Sequence, residues 1–568
     1  MSHDEIGTLL RRHEQVAQAV VIPAPTPREP ARRIAYVVPA ARAAGAASAT
    51  ERVDDWQQIY DRLYEDARSA GPGGPAAAAG DVEEGAAPGA WGDNFAGWNS
   101  SYDRRPIDPD EMRQWRAHAV ERIRGLRPRR LLELGVGSGL LLSRLAADCA
   151  EYWATDLSPV AVDDLARHIA AEPGLAAKVT LRAQAADRAD GLPAGHFDTV
   201  VLNSVVQLFP DGAYLTAVID RALSLLAPGG SFFLGDLRDP RSLPELHTAV
   251  ALGRPTARDA AYVLRTAERT RAREEELFVH PDYFTALVRA RADLAGVDIR
   301  LKSGAYHNEL SRHRYDVVLH KAGGTPPSDV ADCPRLAWGE DGLTDTGALA
   351  DRLAGTPLPV RVTGIPNARV AGEFAARRAL LDGQDLDQAR QLLADGDPAA
   401  VDPHTLGLFA AGGGHRVALA PSPGRPDHFE AVFLPAAEGT ANLADPADPG
   451  GAAPAGGTPL TGTYRPQHTG PADGPHTEVP AVAHRAAALA ARLHGWLREQ
   501  LPDDRLPSAV ITLDALPLGA DGTPDTGALH RMSRQAHPTQ TAHPTETPHL
   551  TETPHLTETP HPTEAARP

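Results

Sequence analysis

Residues 130–142 constrain this chain more than any other stretch. The apolar run Arg130-Leu131-Leu132-Glu133-Leu134 breaks into Gly135-Val136-Gly137-Ser138-Gly139 and resumes as Leu140-Leu141-Leu142. Glycines at alternate positions let a backbone turn tightly and bring its amides close to a ligand. A strand that runs through such a loop into a helix is the opening unit of a doubly wound α/β sheet. The segments that follow continue the alternation. A helix is expected at 139–149, then a strand YWATD at 152–156, a helix at 159–171, and strands VTLRAQ at 179–184 and DTVVLNSV at 198–205. A helix at 212–227 is expected to stop at Pro228-Gly229-Gly230, before a strand SFFLGD at 231–236. A helix at 281–292 and a late strand RYDVVLHK at 314–321 close the series. Strands alternating with helices predict a parallel sheet. Just upstream, Met112, Trp115, Ala119, Ile123 and Leu126 form one stripe of a helix at 111–127.

A glycine loop alone also suits a dinucleotide. Two carboxylates separate the readings. The spacing is E-x-G-x-G-x-G, without the third glycine placement of the dinucleotide pattern, and Glu133 stands directly before the loop. A carboxylate there repels a pyrophosphate and suits a cationic amino-acid ligand. S-adenosylmethionine, with an ammonium and a sulfonium, is such a ligand. Asp156 ends the second strand and can accept hydrogen bonds from both ribose hydroxyls, or else cap the helix starting near Pro159. Asp187, after the third strand, is placed to face the adenine amino group. The candidate cofactor-binding set is therefore Glu133, Gly135, Gly137, Gly139, Asp156, Asp187 and Asn203.

With those residues quoted, the segment resembles the methyltransferase domains found inside nonribosomal peptide synthetases. The resemblance also runs through NFAGWNSSYDRRPIDPDEMRQWR at 94–116, YWATDLSP at 152–159, FDTVVLNSVVQLFP at 197–210, PGGSFFLGDLRD at 228–239 and HNELSRHRYDVVLHK at 307–321. It continues weakly through VTGIPNARV at 362–370 and HFEAVFLP at 428–435. It implies a Rossmann-like, class I fold, S-adenosylmethionine as cofactor, and a small-molecule or carrier-protein-bound acceptor methylated most readily at nitrogen. Its implied place is secondary metabolism, antibiotic biosynthesis included.

The outer pieces resemble something else. Residues 5–40 and 482–530 look like the two halves of the small C-terminal subdomain of an adenylation domain, with the methyltransferase inserted between them. In the first half, Ile6, Leu9, Leu10, Val16 and Val20 are spaced as a helical face. VVIP at 20–23 and IAYVVP at 34–39 read as strands whose partners should lie near 508–515. The expected division is a first half-subdomain at 1–45, a partly disordered linker at 46–93, the methyltransferase core at 94–325 and its C-terminal α/β extension at 326–440. A flexible loop at 441–480, the second half-subdomain at 481–533 and a disordered tail at 534–568 follow. The large adenylation subdomain is not in the chain, and where its relatives carry Asn-Gly-Lys this chain has Asp521-Gly522-Thr523. Threonine cannot replace an ammonium beside a phosphate or carboxylate, so the chain is not expected to adenylate.

Composition narrows the partners. The chain has 568 residues and a net charge of −18, which disfavours a phosphate backbone as main partner. No apolar run approaches the ~20 residues of a membrane span. The acidic start MSHDEIGTLL does not resemble a signal peptide. Two cysteines, Cys149 and Cys333, cannot build a multi-cysteine metal site, so no metal and a cytoplasmic location are expected. The 51 glycines and 51 prolines concentrate at 68–90, at 437–480 and in the tail. There, histidine recurs every six residues, from His537 to His561.

Methyl transfer needs a neutral nucleophile held in line. Candidates to position or deprotonate it are Asn203 after the fourth strand, Asp236 after the fifth, and His307 and Glu309 around Asn308. Trp98 and Tyr102 are candidate lid residues. Three readings compete: a nitrogen methyltransferase acting on an amino acid or peptidyl intermediate, an O-, S- or C-methyltransferase of a small metabolite, and a synthetase-docking module with vestigial catalysis.

Overall fold

The computed structural model describes residues 3–23, 33–40, 52–53, 56–61, 64–65, 91–340, 342–436, 458–466, 476–502, 505–513, 516–518 and 523–535. A seven-stranded sheet organises the centre. Its strands, numbered in chain order, are β1 (Arg130–Leu134), β2 (Glu151–Asp156), β3 (Val179–Ala183), β4 (Phe197–Asn203), β5 (Leu226–Arg238), β6 (Leu294–Leu301) and β7 (Arg314–Lys321). They lie in the order 3-2-1-4-5-7-6. β1 to β5 pair in parallel, and β7 runs antiparallel to both neighbours. Strands such as β4 are buried along nearly their whole length, with an apolar centre Val200-Val201-Leu202, because helices cover both faces. Helix Gly212–Leu225 lies in one apolar layer; Pro109–Arg124 and Pro159–Ala170 lie in the other. Strand order reverses between β1 and β4, which opens a crevice at their C-terminal ends.

The Rossmann-like α/β architecture is as expected, and four details differ. β6 was not anticipated: Gly296, Asp298 and Arg300 interrupt its apolar run. Asp298 is nonetheless buried, because Arg300 lies 2.8 Å away and Thr463 Oγ1 donates to it at 2.8 Å. The sheet is not wholly parallel, since the short connection from β6 to β7 reverses the chain. The helix expected at 139–149 shrinks to Leu142–Leu145 and a 3-10 turn, Ala146–Asp148. Pro228-Gly229-Gly230 falls within β5 as a bulge: Phe197 pairs with Leu226 but Thr199 with Ser231.

The C-terminal extension holds a four-stranded sheet in the order Arg335–Ala337, Val360–Pro366, His428–Pro435, His415–Pro421. Arg369 ties it to the central unit, donating to the carbonyls of Lys302 (2.6 Å) and Gly304 (2.7 Å). At the two ends of the chain, Ala509–Thr512 pairs in parallel with Arg33–Pro39, which pairs antiparallel with Val16–Pro23. Helix Pro480–Gln500 buries Leu493 and Leu497 against this small sheet. Val16 and Val20 belong to its first strand, not to the helix, which ends at Leu10. Within the stretch expected to be a flexible loop, residues 458–466 are firmly held. Leu460–Thr461 pairs with Ser328–Asp329, and Thr463 is fully buried. The 68–90 segment, Asp521, Gly522 and the histidine repeat lie outside the described residues. Among those described, no helix is long and apolar enough to cross a membrane.

A buried ionic cluster locks the sheet beneath the crevice. Lys302 Nζ lies 2.8 Å from Asp236 Oδ1 and 2.9 Å from Asp316 Oδ1, and all three side chains are fully buried. Burial opposes the charge on Lys302, but the two carboxylates outweigh it and raise its pKa. Asp236 also accepts from Trp115 Nε1 at 2.9 Å and Ser204 Oγ at 2.8 Å, and its own amide donates to Asp316 at 3.0 Å. Removing one partner of a buried pair strands the other and costs about 3–5 kcal/mol. Lys302→Met is expected to destabilise the protein by that amount in urea unfolding; a loss below about 1 kcal/mol would show that the cluster is not holding the sheet.

Candidate active site

A cavity of 390 Å³ opens at the C-terminal ends of β1, β2 and β4. The chain leaves β1 through Gly135 (φ +78°), Gly137 (+54°) and Gly139 (+81°), all in the left-handed region. A Cβ on Gly135 would stand 2.5 Å from Val205 Cγ2, and one on Gly139 2.7 Å from Leu165 Cδ2, so both positions are closed to larger residues. Asp156 fastens this loop. Its carboxylate accepts from the Gly137 amide at 2.8 Å and the Ser158 amide at 2.9 Å. It does not cap the following helix; Ser158 does, accepting from Ala161. Gly135, Gly137 and Asp156 line the cavity, while Gly139 packs behind it.

Glu133 also lines the cavity and is 3% exposed. Burial pushes its pKa up to about 8, which the hydrogen bond from Tyr152 OH (2.6 Å) resists and the nearby Asp156 assists. A buried carboxylate with no cation paired to it among the described residues, next to a glycine loop and a second acid, is an acceptor set that suits an amino-acid sulfonium cofactor. Gln184 adds a buried amide nitrogen without a partner in the same wall. These residues fit S-adenosylmethionine: Glu133 for its ammonium, Asp156 for its ribose.

The acceptor end is built by β4, β7 and the segment before β7. Asn203 is 9% exposed; its Nδ2 donates to Ser204 Oγ at 3.1 Å, and its Oδ1 is buried without a partner. Gln207 likewise leaves Oε1 unpartnered. Glu309 is 5% exposed, its Oε1 accepts from the Ser101 amide at 2.5 Å, and its Oε2 is unpartnered. All three residues line the cavity.

Of the other candidates, Trp98 is brought to the wall and Asp236, His307, Asp187 and Tyr102 are not. Asp236 is spent in the ionic cluster beneath it. His307 is half exposed and points toward Asp402, 3.5 Å away. Asp187 accepts from Tyr214 OH at 2.9 Å outside the lining. Trp98 lines the cavity and packs on Trp115, with ring centroids 4.9 Å apart. Tyr102 does not line it; its hydroxyl donates to Glu373 at 2.6 Å.

Some lining residues were not anticipated. Trp56, Tyr60 and Tyr64 come from the stretch read as linker, where 56–61 are helical, and their rings follow one another at 6.3 and 6.0 Å. Their i, i+4, i+8 spacing is a helical stripe that periodicity alone could have found. Burial pushes the Tyr60 hydroxyl up to about 12. Arg238, Glu276, His313 and Arg314 complete the wall.

Residues 132–232 match the family model described as a methyltransferase domain. The chain is 35% identical over 526 residues to a probable non-canonical nonribosomal peptide synthetase of Salinispora arenicola, CymA, covering 92% of this chain and 6% of that protein. It is 34% identical over 546 residues to chondramide synthase of Chondromyces crocatus, covering 93% of this chain and 13% of that one. The chain thus spans a small part of the curated relatives it matches. Among solved structures, the N-methyltransferase NodS of Bradyrhizobium japonicum, in complex with S-adenosylhomocysteine, matches over 37% of this chain and 88% of its own, at 15% identity and a TM-score of 0.26.

The shift at Glu133 has a measurable sign. In the free protein its ionisation is disfavoured, so its contribution to stability is full below about 4.5 and is lost as pH rises through about 8. A bound ammonium favours the carboxylate. S-adenosylhomocysteine, which keeps that ammonium, should therefore expel a proton on binding near neutrality, with affinity rising up to about tenfold per pH unit from about pH 6 to 7.5. Calorimetry in two buffers of different ionisation enthalpy reads the proton directly. Glu133→Gln should abolish its release, and undiminished release from that variant would refute the assignment.

Proposed function

The chain carries a class I S-adenosylmethionine-dependent methyltransferase domain at its centre, and from that premise we propose that it methylates the nitrogen of an amino acid or of a carrier-bound, peptide-like intermediate in nonribosomal-peptide-type biosynthesis. Bound at the glycine loop, the cofactor supplies an electrophilic methyl group on a sulfonium. Support for a nucleophile that donates hydrogen bonds, an amine among them, comes from acceptors on cavity-lining residues that have no partner among the described residues, Gln207 Oε1 and Glu309 Oε2. An amine or a hydroxyl donates hydrogen bonds to such atoms, whereas a carbon nucleophile leaves them unsatisfied, at about 1–3 kcal/mol each; the choice of nitrogen over oxygen rests on the resemblance to peptide synthetases. Glu309, fixed at Oε1 by the Ser101 amide, takes the proton that the nitrogen must lose at Oε2. Asn203 and Gln207 orient the nitrogen. The resemblance over 92% of this chain to a protein named as a probable non-canonical nonribosomal peptide synthetase supports an aminoacyl or peptidyl acceptor. The same span supports reading the terminal three-stranded unit as an adenylation-type subdomain, interrupted by the methyltransferase and suited to docking on a synthetase.

The test uses methyl-labelled S-adenosylmethionine with a panel of L-aminoacyl-pantetheine thioesters, and fragment mass spectrometry to localise the label. The expected product carries it on the α-nitrogen; label on oxygen, sulfur or carbon would overturn the proposal. Glu309→Gln is expected to lower kcat about a hundredfold or more while leaving S-adenosylhomocysteine affinity unchanged.

A further inference from the structure

Two cations line the cavity, and only one is fully engaged. Arg238 is held by Glu276, lies 3.5 Å from Glu274, and stacks on the Phe278 ring at 4.3 Å. Arg314, the first residue of β7, pairs with Arg238 through its backbone, and its side chain makes one ion pair among the described residues: Nη1 to Asp236 Oδ2 at 3.3 Å. A guanidinium has five N–H donors, so most of this fork remains free at the wall. Five residues earlier, Glu309 opens the one-turn helix Glu309–Arg312 and offers the unpartnered Oε2. Between them, His313 does not compete. Its Nδ1 meets Ser242 Oγ at 2.9 Å, and its Nε2 meets Tyr102 OH at 3.2 Å and Glu373 at 3.1 Å. Segment 309–314 thus brings an acid and a guanidinium into the lining of one cavity.

We propose that Glu309 and Arg314 read an α-aminoacyl group at two points, Glu309 Oε2 accepting from the amine and the Arg314 guanidinium donating to the carbonyl oxygen one carbon away. The inference rests on the proposed amine acceptor and deepens it: it names the neighbouring carbonyl as the feature that separates an aminoacyl derivative from a simple amine. A fork of fixed donors suits a carbonyl or thioester oxygen, and a lysine ammonium does not reproduce it. A site built to hydrogen-bond a substrate oxygen discriminates strongly against the analogue lacking it.

The experiment compares the wild-type chain with Arg314→Lys, which keeps a charge beside Asp236. The probes are L-aminoacyl-pantetheine thioesters and the matching thioethers, which retain the amine and lack the carbonyl. Binding is measured calorimetrically with S-adenosylhomocysteine present, alongside kcat/KM. The wild type is expected to prefer the thioester by tenfold or more, and Arg314→Lys to lose that preference with unchanged S-adenosylhomocysteine affinity. Absence of a preference in the wild type, or an equal preference in both proteins, overturns the proposal. Glu309→Gln leaves the ionic cluster intact and serves as a second variant. It should weaken thioester and thioether equally; undiminished binding of both also overturns the proposal. If the preference behaves as expected but the methyl group lands on an atom other than nitrogen, the functional proposal fails while the two-point recognition stands.

Discussion

The ammonium of Lys302, buried between Asp236 and Asp316, is the interaction on which the site depends. It joins the end of β5 to β7 and, through Trp115 on helix Pro109–Arg124, to the layer that covers the sheet. Asp236 (φ +66°) and Ser204 (φ +59°) are held in the left-handed region, at a cost of order 1–3 kcal/mol each. The cluster offsets that cost, because Asp236 receives the Ser204 hydroxyl. Asn203 Nδ2 then donates to the same Ser204 oxygen. A chain of hydrogen bonds thus runs from the buried charge to the amide at the cavity wall, and fixes which of its atoms is left free.

Above that floor, the cavity has two chemically different ends. At the β1–β2 end Glu133, whose ionisation burial disfavours, and an amide-bound Asp156 stand beside the glycine loop. At the β4–β7 end, acceptors without partners stand with the free part of the Arg314 fork. The order of strands places these ends on either side of the point where the sheet reverses direction, so one cavity can hold two reactants in line. The extension beyond residue 326 contributes from behind. Glu373 holds Tyr102 and His313, while Arg369 secures the backbone around Lys302.

What could be read from the chain depended on how each element declares itself. β1 to β5 are largely apolar runs separated by helical patterns, and the glycine loop stands between Glu133 on β1 and Asp156 at the end of β2, so the fold and the place of the loop were legible. β6 was hidden because its buried charges look like a surface segment until Arg300 and Thr463 are placed beside Asp298. Asp236 and His307 were sensible choices by position, yet position does not reveal direction: Asp236 turns down into the cluster and His307 turns outward, whereas Glu309, two residues on, turns in. The aromatic stripe Trp56–Tyr60–Tyr64 has helical spacing in a charged segment at 51–66, but was read as linker together with the alanine- and glycine-rich stretches on either side. The pairing of Ala509–Thr512 with Arg33–Pro39 was visible only because the strands at the start of the chain had no local partner.

The central claim is that Glu133 and Asp156 together hold the cofactor at the end of β1 and β2. Its most direct test is the equilibrium binding of S-adenosylmethionine to the Glu133→Ala/Asp156→Ala double variant, checked for an intact fold by its far-ultraviolet dichroism. The account predicts that a folded double variant no longer binds the cofactor; affinity equal to that of the unaltered chain would contradict it.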